Sequence, residues 1–298
     1  MRPVLVFVLL LGAFLPQTAA ARSILVAYAG SMGVVMDHDL GPAFAKENSV
    51  TFEGIGQGSY ALARLIAGKR LACDVFVAIT PGPIEVLLKA RLIEQAGPVA
   101  STAMVIAYAP KSRFAALFAR GQPWWQVLES PGLRFGRTDP TTDPQGRNII
   151  FTMLLAARYY HQPGLAARIL GPLLNHRQIF TEASILSRLE AGQLDASSGY
   201  ASATRSHHLP FVRLPDEINL SNPAMEKKWY GTVHFALPGP EGKPREVHTE
   251  PLVFYAAVLR DAPDPALAAK FVRFLLSSAG QAAFAKAGYG GPLGRAIR

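Results

Sequence analysis

The pattern of hydrophobic and polar positions alternates between two periods along most of the chain. Short apolar runs at Ile24–Tyr28, Val50–Ile55 and Asp74–Ile79 read as buried strands. Each leads through a Gly- or Pro-containing turn into a helical stretch: from Met32, over Tyr60–Ala67 with Gly68 as its stop, and over Ile84–Ala90. Gly41-Pro42 is expected to break the first of these, with helix resuming to about Glu47. Strands and helices alternating at this spacing predict an α/β fold, a mainly parallel sheet covered by helices on both faces. Ligands in such sheets lie beyond the carboxyl ends of the strands. Two turns take that place with the same chemistry, Gly30-Ser31 after the first strand and Gly58-Ser59 after the second. Glycine lets the backbone approach a ligand, and the serine hydroxyl with the following N–H groups supplies donors. Each serine is expected to cap the helix it opens.

The second half continues in kind. A strand at Ala103–Tyr108 precedes a helix at Phe114–Arg120, and Leu133 and Phe135 form a short strand leading into Gly136–Tyr160. There Asp143 suits an N-cap and Pro144 the first helical position, with Gln145 next. Ile149, Ile150, Met153, Leu154 and Ala157 then make one apolar helix face. A helix start of this kind collects unpaired N–H groups and favours anions. Helices follow at Leu165–Leu170 and Ala183–Ala191, the latter opened by Thr181, and then a strand at Leu194–Ser198 reaches Gly199-Tyr200. A polar helix at Ser202–His207, an irregular segment over Leu214–Tyr230, and strands at Val233–Leu237 and Val247–Leu259 around PGPEGKP come next. An amphipathic helix at Ala266–Leu276 lies near the end. The chain contains no repeat of solenoid period.

The N-terminus changes the destination of the chain. Arg2, an apolar run from Val4 to Leu15 and small residues through Ala21 read as a cleaved secretory leader over residues 1–21. The run is too short to span a bilayer, and no cysteine adjoins the cleavage point, so a soluble periplasmic product is expected. Cys73 is the single cysteine, so no internal disulfide is available and the fold must rest on its core. Cys73 itself reads as a small buried filler. A formal charge of +9 spread without clusters argues against nucleic acid and for at most a mild attraction to anions.

Catalytic templates do not fit. Ser59 lies in GQGSYA rather than a G-x-S-x-G elbow, no H-E-x-x-H or paired-cysteine spacing occurs, and a phosphate-binding P-loop is absent. His207-His208 are adjacent, and neighbours on a helix do not share a face. The chain reads as a binder that is not an enzyme and carries no cofactor. An exported hydrolase using Ser59 with a remote histidine is the alternative from another class.

Several segments together resemble the periplasmic solute-binding proteins of ABC importers, in their tungstate/molybdate branch: AYAGSM around Ser31, GQGSYALARLI around Ser59, CDVFVAI, SPGLRFGRTDPTTDPQGRN, AARYY, LPDEINLSNP and FVRFLLSSAGQAAF. The resemblance implies two α/β lobes closing by a hinge over a molybdate or tungstate ion in the cleft between them, type II-like, delivered to a membrane permease. The lobes would be residues 22–102 with 250–298, and 103–249, in a monomer. It implies ligand contacts from Gly30, Ser31 and Ser59 in the first lobe and from Asp143, Pro144, Gln145, Gly199 and Tyr200 in the second. Relatives of the archaeal type place a glutamate just before a tyrosine, so that two carboxylates complete an octahedral metal centre. Here Gly199 precedes Tyr200. A lone carboxylate facing a dianion repels it unless bonded to the metal or protonated. The expectation is therefore a tetrahedral ion held by hydroxyl and N–H donors, with Asp143 turned back to cap its helix rather than ligating the metal. A receptor for sulfate or phosphate is the close alternative.

Overall fold

The computed structural model describes residues 22–239 and 243–298; the leader inferred over residues 1–21 lies outside them. Its strands are β1 (Ser23–Ala29), β2 (Thr51–Gln57), β3 (Val75–Ile79), β4 (Gly97–Ser101), β5 (Met104–Tyr108), β6 (Phe135–Gly136), β7 (Ala196–Tyr200), β8 (Phe211–Arg213), β9 (His234–Pro238), β10 (Pro244–His248) and β11 (Val253–Val258). One sheet has the order β2-β1-β3-β11-β4 and another β6-β7-β5-β8, with β9 and β10 forming a separate ribbon. β1 runs parallel to β2 and β3, whereas β11 is antiparallel to β3 and β4. In the second sheet β6 and β7 are parallel, and β5 is antiparallel to β7 and β8. Each sheet is mixed because the chain leaves the first along β4, builds the second, and comes back through β11 against the direction of the strands laid down earlier.

Period-two alternation decides which helices cover which face. Ala27, Phe76 and Ala78 point to one side of the first sheet, where Leu62 and Ile66 of the Ser59–Ala67 helix and Ile84 and Leu87 of the Pro81–Lys89 helix bury them. Val26, Val75 and Val77 point to the other side, toward Phe44 and Phe271, whose rings meet edge to face at 5.0 Å. Cys73 packs with the first of these groups, and burial pushes its thiol up to about 12, as an unreactive filler requires. Among the described residues no helix is long and apolar enough to cross a membrane.

Three local expectations change. Gly41-Pro42 does not break its helix: a π turn over Met36–Leu40 takes up an extra residue, with the Gly41 N–H donating to the Met36 carbonyl. The Gly41–Asn48 helix then starts afresh with Pro42 in its first turn, where the missing N–H costs nothing. The apolar stretch Val247–Leu259 is not one strand but two, β10 and β11, parted at the segment containing Pro251, which has no N–H to give a ladder. β4, with its Gly-Pro start, is too short and too small-sided to announce itself by period.

Candidate functional site

The carboxyl ends of β1 and β2 and the helix starts of the second lobe enclose a gap containing two adjoining cavities. One, of about 330 Å³, is lined by Gly30, Ser31, Gln145, Gly199 and Tyr200 among others. The next is lined by Gly58, Asp143 and Thr181. Glu182 lines both. Of the residues expected at the site, Gly30, Ser31, Gln145, Gly199 and Tyr200 thus share one wall and Asp143 stands beside it. Pro144 instead faces a third cavity with Tyr60 and Arg147. Ser59 lines none of these three, although its neighbour Gly58 abuts Asp143: a Cβ on Gly58 would stand 3.3 Å from Cβ of Asp143.

The two serines do not cap their helices. The N-cap of the Gly30–Met32 turn is Ala29, that of the Ser59–Ala67 helix is Gly58, and neither makes a side-chain cap bond. Ser31 and Ser59 sit one or more residues further in, so their hydroxyls have no first-turn N–H to serve. Both hydroxyl oxygens are buried and close no hydrogen bond within the protein. An orphaned buried hydroxyl is costly, and each such group invites a ligand.

On the second-lobe side Asp143 caps its helix, as expected. Its Oδ1 accepts from the Gln145 N–H at 2.8 Å, with Pro144 in the first turn of the Pro144–Tyr159 helix. Burial pushes the Asp143 carboxyl up to about 7, against the opposing pull of the Gln145 amide and the Arg147 charge. Ser198 donates to Gln145 Oε1 at 2.8 Å, which fixes the side-chain amide and leaves its NH2 group as a donor. Asn148 donates to the Tyr200 hydroxyl at 3.1 Å, so the phenol keeps its own proton to give. Tyr200 is fully buried; burial, then the charges of Asp143 and Glu182, hold it neutral. Gly199 is glycine for a packing reason, since a Cβ there would stand 2.8 Å from Thr204 Oγ1.

The lobes meet directly beside the cavities. The Ala61 N–H donates to the Thr142 carbonyl at 3.2 Å, Arg64 Nη2 to the Thr141 carbonyl at 3.1 Å, and the Arg147 guanidinium lies 3.6 Å above the Tyr60 ring.

Glu182 is the residue that sequence reasoning missed, and it corrects the expectation of a single carboxylate. It opens the Glu182–Glu190 helix, which packs against the Gly30–Met32 turn and β2. Its carboxylate crosses to the first lobe: a Cβ on Gly30 would be 2.8 Å from Oε2. Both oxygens are buried and close no hydrogen bond. Burial and then the Asp143 charge drive its pKa well up; the Ser31 hydroxyl and the Gly30 and Ser31 amides nearby oppose this without overcoming it. Among the described residues no cluster of three or more His, Cys, Asp or Glu could hold a metal ion.

Residues 24–290 match the family model described as bacterial extracellular solute-binding protein. The chain is 27% identical over 288 residues to the molybdate/tungstate-binding protein WtpA of Thermococcus kodakarensis, covering 88% of this chain and 80% of that one. In structure it is similar to the periplasmic molybdate-binding protein of Azotobacter vinelandii, with a TM-score of 0.61 at 15% identity, covering 91% of this chain and 100% of that one. It is also similar to the sulfate-binding protein SubI of Mycobacterium tuberculosis, with a TM-score of 0.59 at 16% identity over 90% of this chain and 86% of that one. At such identities the likeness shows the fold, two α/β lobes of the type II periplasmic binding proteins. The hydrolase alternative falls with the family match, which is to solute-binding proteins over nearly the whole described chain. The chain belongs to the bacterial extracellular solute-binding proteins, a family of non-catalytic receptors for solute import.

Proposed function

We propose that the protein is a periplasmic receptor that captures molybdate or tungstate and presents it to the permease of an ABC importer. The observation that carries this reading is the buried Ser31 hydroxyl, left without a partner in the cavity where helix starts of both lobes converge, with the Ser59 hydroxyl likewise orphaned one residue from Gly58 of the adjoining cavity. Donors without acceptors in a closed, polar space suit an oxyanion, and charge-assisted hydrogen bonds supply the affinity. The Gln145 amide and the Tyr200 hydroxyl add donors from the second lobe. The likeness to WtpA favours the group VI oxyanions over sulfate. The lobes are residues 22–102 with 250–298 and residues 103–249, and the Tyr60–Arg147 stack across them is one of the contacts that closure forms. The permease reads the closed form, in which both lobes hold one ion.

Calorimetric titration of the purified protein with tungstate, molybdate, sulfate and phosphate tests the proposal. Tungstate and molybdate are expected to bind at one site per chain and at least about a hundredfold more tightly than sulfate, a gap of about 2.7 kcal/mol. Preference for sulfate or phosphate would shift the receptor to another oxyanion, and silence from all four would remove the oxyanion reading.

A further inference from the structure

Capture of a dianion by donors alone leaves Glu182 with no role and an apparent fault. The carboxylate belongs to the second lobe but stands against the first-lobe Gly30, inside the donor cradle where an oxyanion would be held. A charged carboxylate and a dianion in that desolvated space repel each other, and neither Glu182 oxygen bonds to a cation that would neutralise it. Arg188, on the same helix, lines the cavity that Asp143 and Glu182 share, but it gives one Nη to Gln193 Oε1 at 2.8 Å, lies over the Phe180 ring and keeps a buried Nε–H that bonds to neither carboxyl. Arg147 is spent on the Pro140 carbonyl and the Tyr60 ring.

We propose that the cleft takes up one proton with its oxyanion, carried by Glu182, whose neutral carboxyl donates a hydrogen bond to the ion instead of repelling it. The proposal rests on the receptor reading above. Between the two facing carboxyls, hydrogen bonding assigns the proton. Asp143 accepts from the Gln145 amide, which favours its charged form, while the Glu182 oxygens close no well-formed hydrogen bond and the nearby Gly30 and Ser31 groups do not offset their burial. Their coupling raises Glu182 further whenever Asp143 is charged. The other ionisable groups lining or near this cavity are placed differently. Tyr200 and Tyr289 are kept neutral by burial, and Asp37 already accepts from the Tyr28 hydroxyl at 2.6 Å. His38 and His207 line the outer wall of the cavity, His207 facing Glu190 at 2.8 Å.

The proton comes from solvent on binding and returns to it on release, so affinity must fall as pH rises through the range where free Glu182 ionises. Above that range the loss is about tenfold per pH unit for one linked proton. The test is calorimetric binding of tungstate to the full-length mature protein from about pH 6 to 9, in paired buffers of different ionisation heat, for wild type and E182Q. Expected for wild type is proton uptake rising toward one per ion with increasing pH, matched by the affinity slope. E182Q, whose amide donates at every pH, is expected to lose the slope and to bind at least about tenfold more tightly than wild type at the alkaline end. Wild-type affinity independent of pH with no proton uptake would overturn the proposal and leave the receptor reading standing. So would a wild-type slope retained in E182Q, or a six-coordinate metal-edge absorption signal in wild type that E182Q loses, since Glu182 would then bind as a charged metal ligand. No tungstate or molybdate binding by wild type at any pH would bring down both.

Discussion

A chain carrying Ser31→Ala and Ser59→Ala together is expected to bind tungstate about a hundredfold to ten-thousandfold more weakly while losing no stability. Each hydroxyl that donates to a charged acceptor contributes about 1.5–3 kcal/mol, so two contribute about 3–6 kcal/mol of binding. Neither hydroxyl bonds within the protein, so the folded state surrenders nothing when they are removed. Removing a buried orphan hydroxyl relieves a desolvation cost. Guanidinium unfolding and calorimetric titration, run on the same preparation, separate the two effects. Ser197→Ala supplies the control, because that hydroxyl is also buried and orphaned, but neither Ser197 nor its chain neighbours line the cleft cavities, whereas Ser31 and the Gly58 next to Ser59 do. Undiminished tungstate affinity in the double variant would remove the serines from the site. A fall in unfolding midpoint parallel to the loss of binding would assign them to packing.

Gly146→Ala is expected to destabilise the protein by about 3 kcal/mol and to abolish capture at working concentrations. A Cβ at this position would press into the Thr138 carbonyl oxygen and stand 2.7 Å from the backbone of both Asp139 and Pro140. Those atoms are backbone and have no rotamer by which to yield. The start of the Pro144–Tyr159 helix would have to lift off the Asp139-Pro140 turn, carrying Asp143 and Gln145 out of the cleft with it. Gly97→Ala, where no atom lies within 4 Å of the added methyl, is expected to be nearly neutral. The unfolding midpoints of the two variants check this, and a Gly146→Ala protein of wild-type stability would show that the turn gives way cheaply.

Much of this arrangement was legible in the chain because it is written in local chemistry. Asp143-Pro144 reads as a helix start, and one it is. The strand–turn–helix units of the first lobe appear where period and turn residues put them. The serines were legible as to place but not role: a Gly-Ser step fits a cap equally well, and only backbone geometry shows the cap one or two residues earlier. Glu182 was illegible for a stronger reason. A glutamate in the first turn of a helix is the ordinary complement to the helix dipole, and nothing local says that this helix start faces Gly30 across the cleft. That fact depends on how two sheets, distant in sequence, are set against each other. Pro42 misled in the opposite sense, since a rule for α-helices does not foresee a π turn that renews the helix just ahead of it.

The position of β11 has a consequence for how the molecule comes to exist. It lies inside the first sheet, between β3 and β4, with Val258 paired to Val75 and Phe254 to Ile79. The central part of the first lobe is therefore completed by residues made after the whole second lobe. Until they arrive, β3 and β4 lack the neighbour that joins them, and closing so long a loop is slow. A chain ending at Leu252 is expected to retain a folded second lobe and a first lobe without protection from hydrogen exchange. For the exported receptor proposed above, this order keeps the first lobe open until the last strand of its sheet is made.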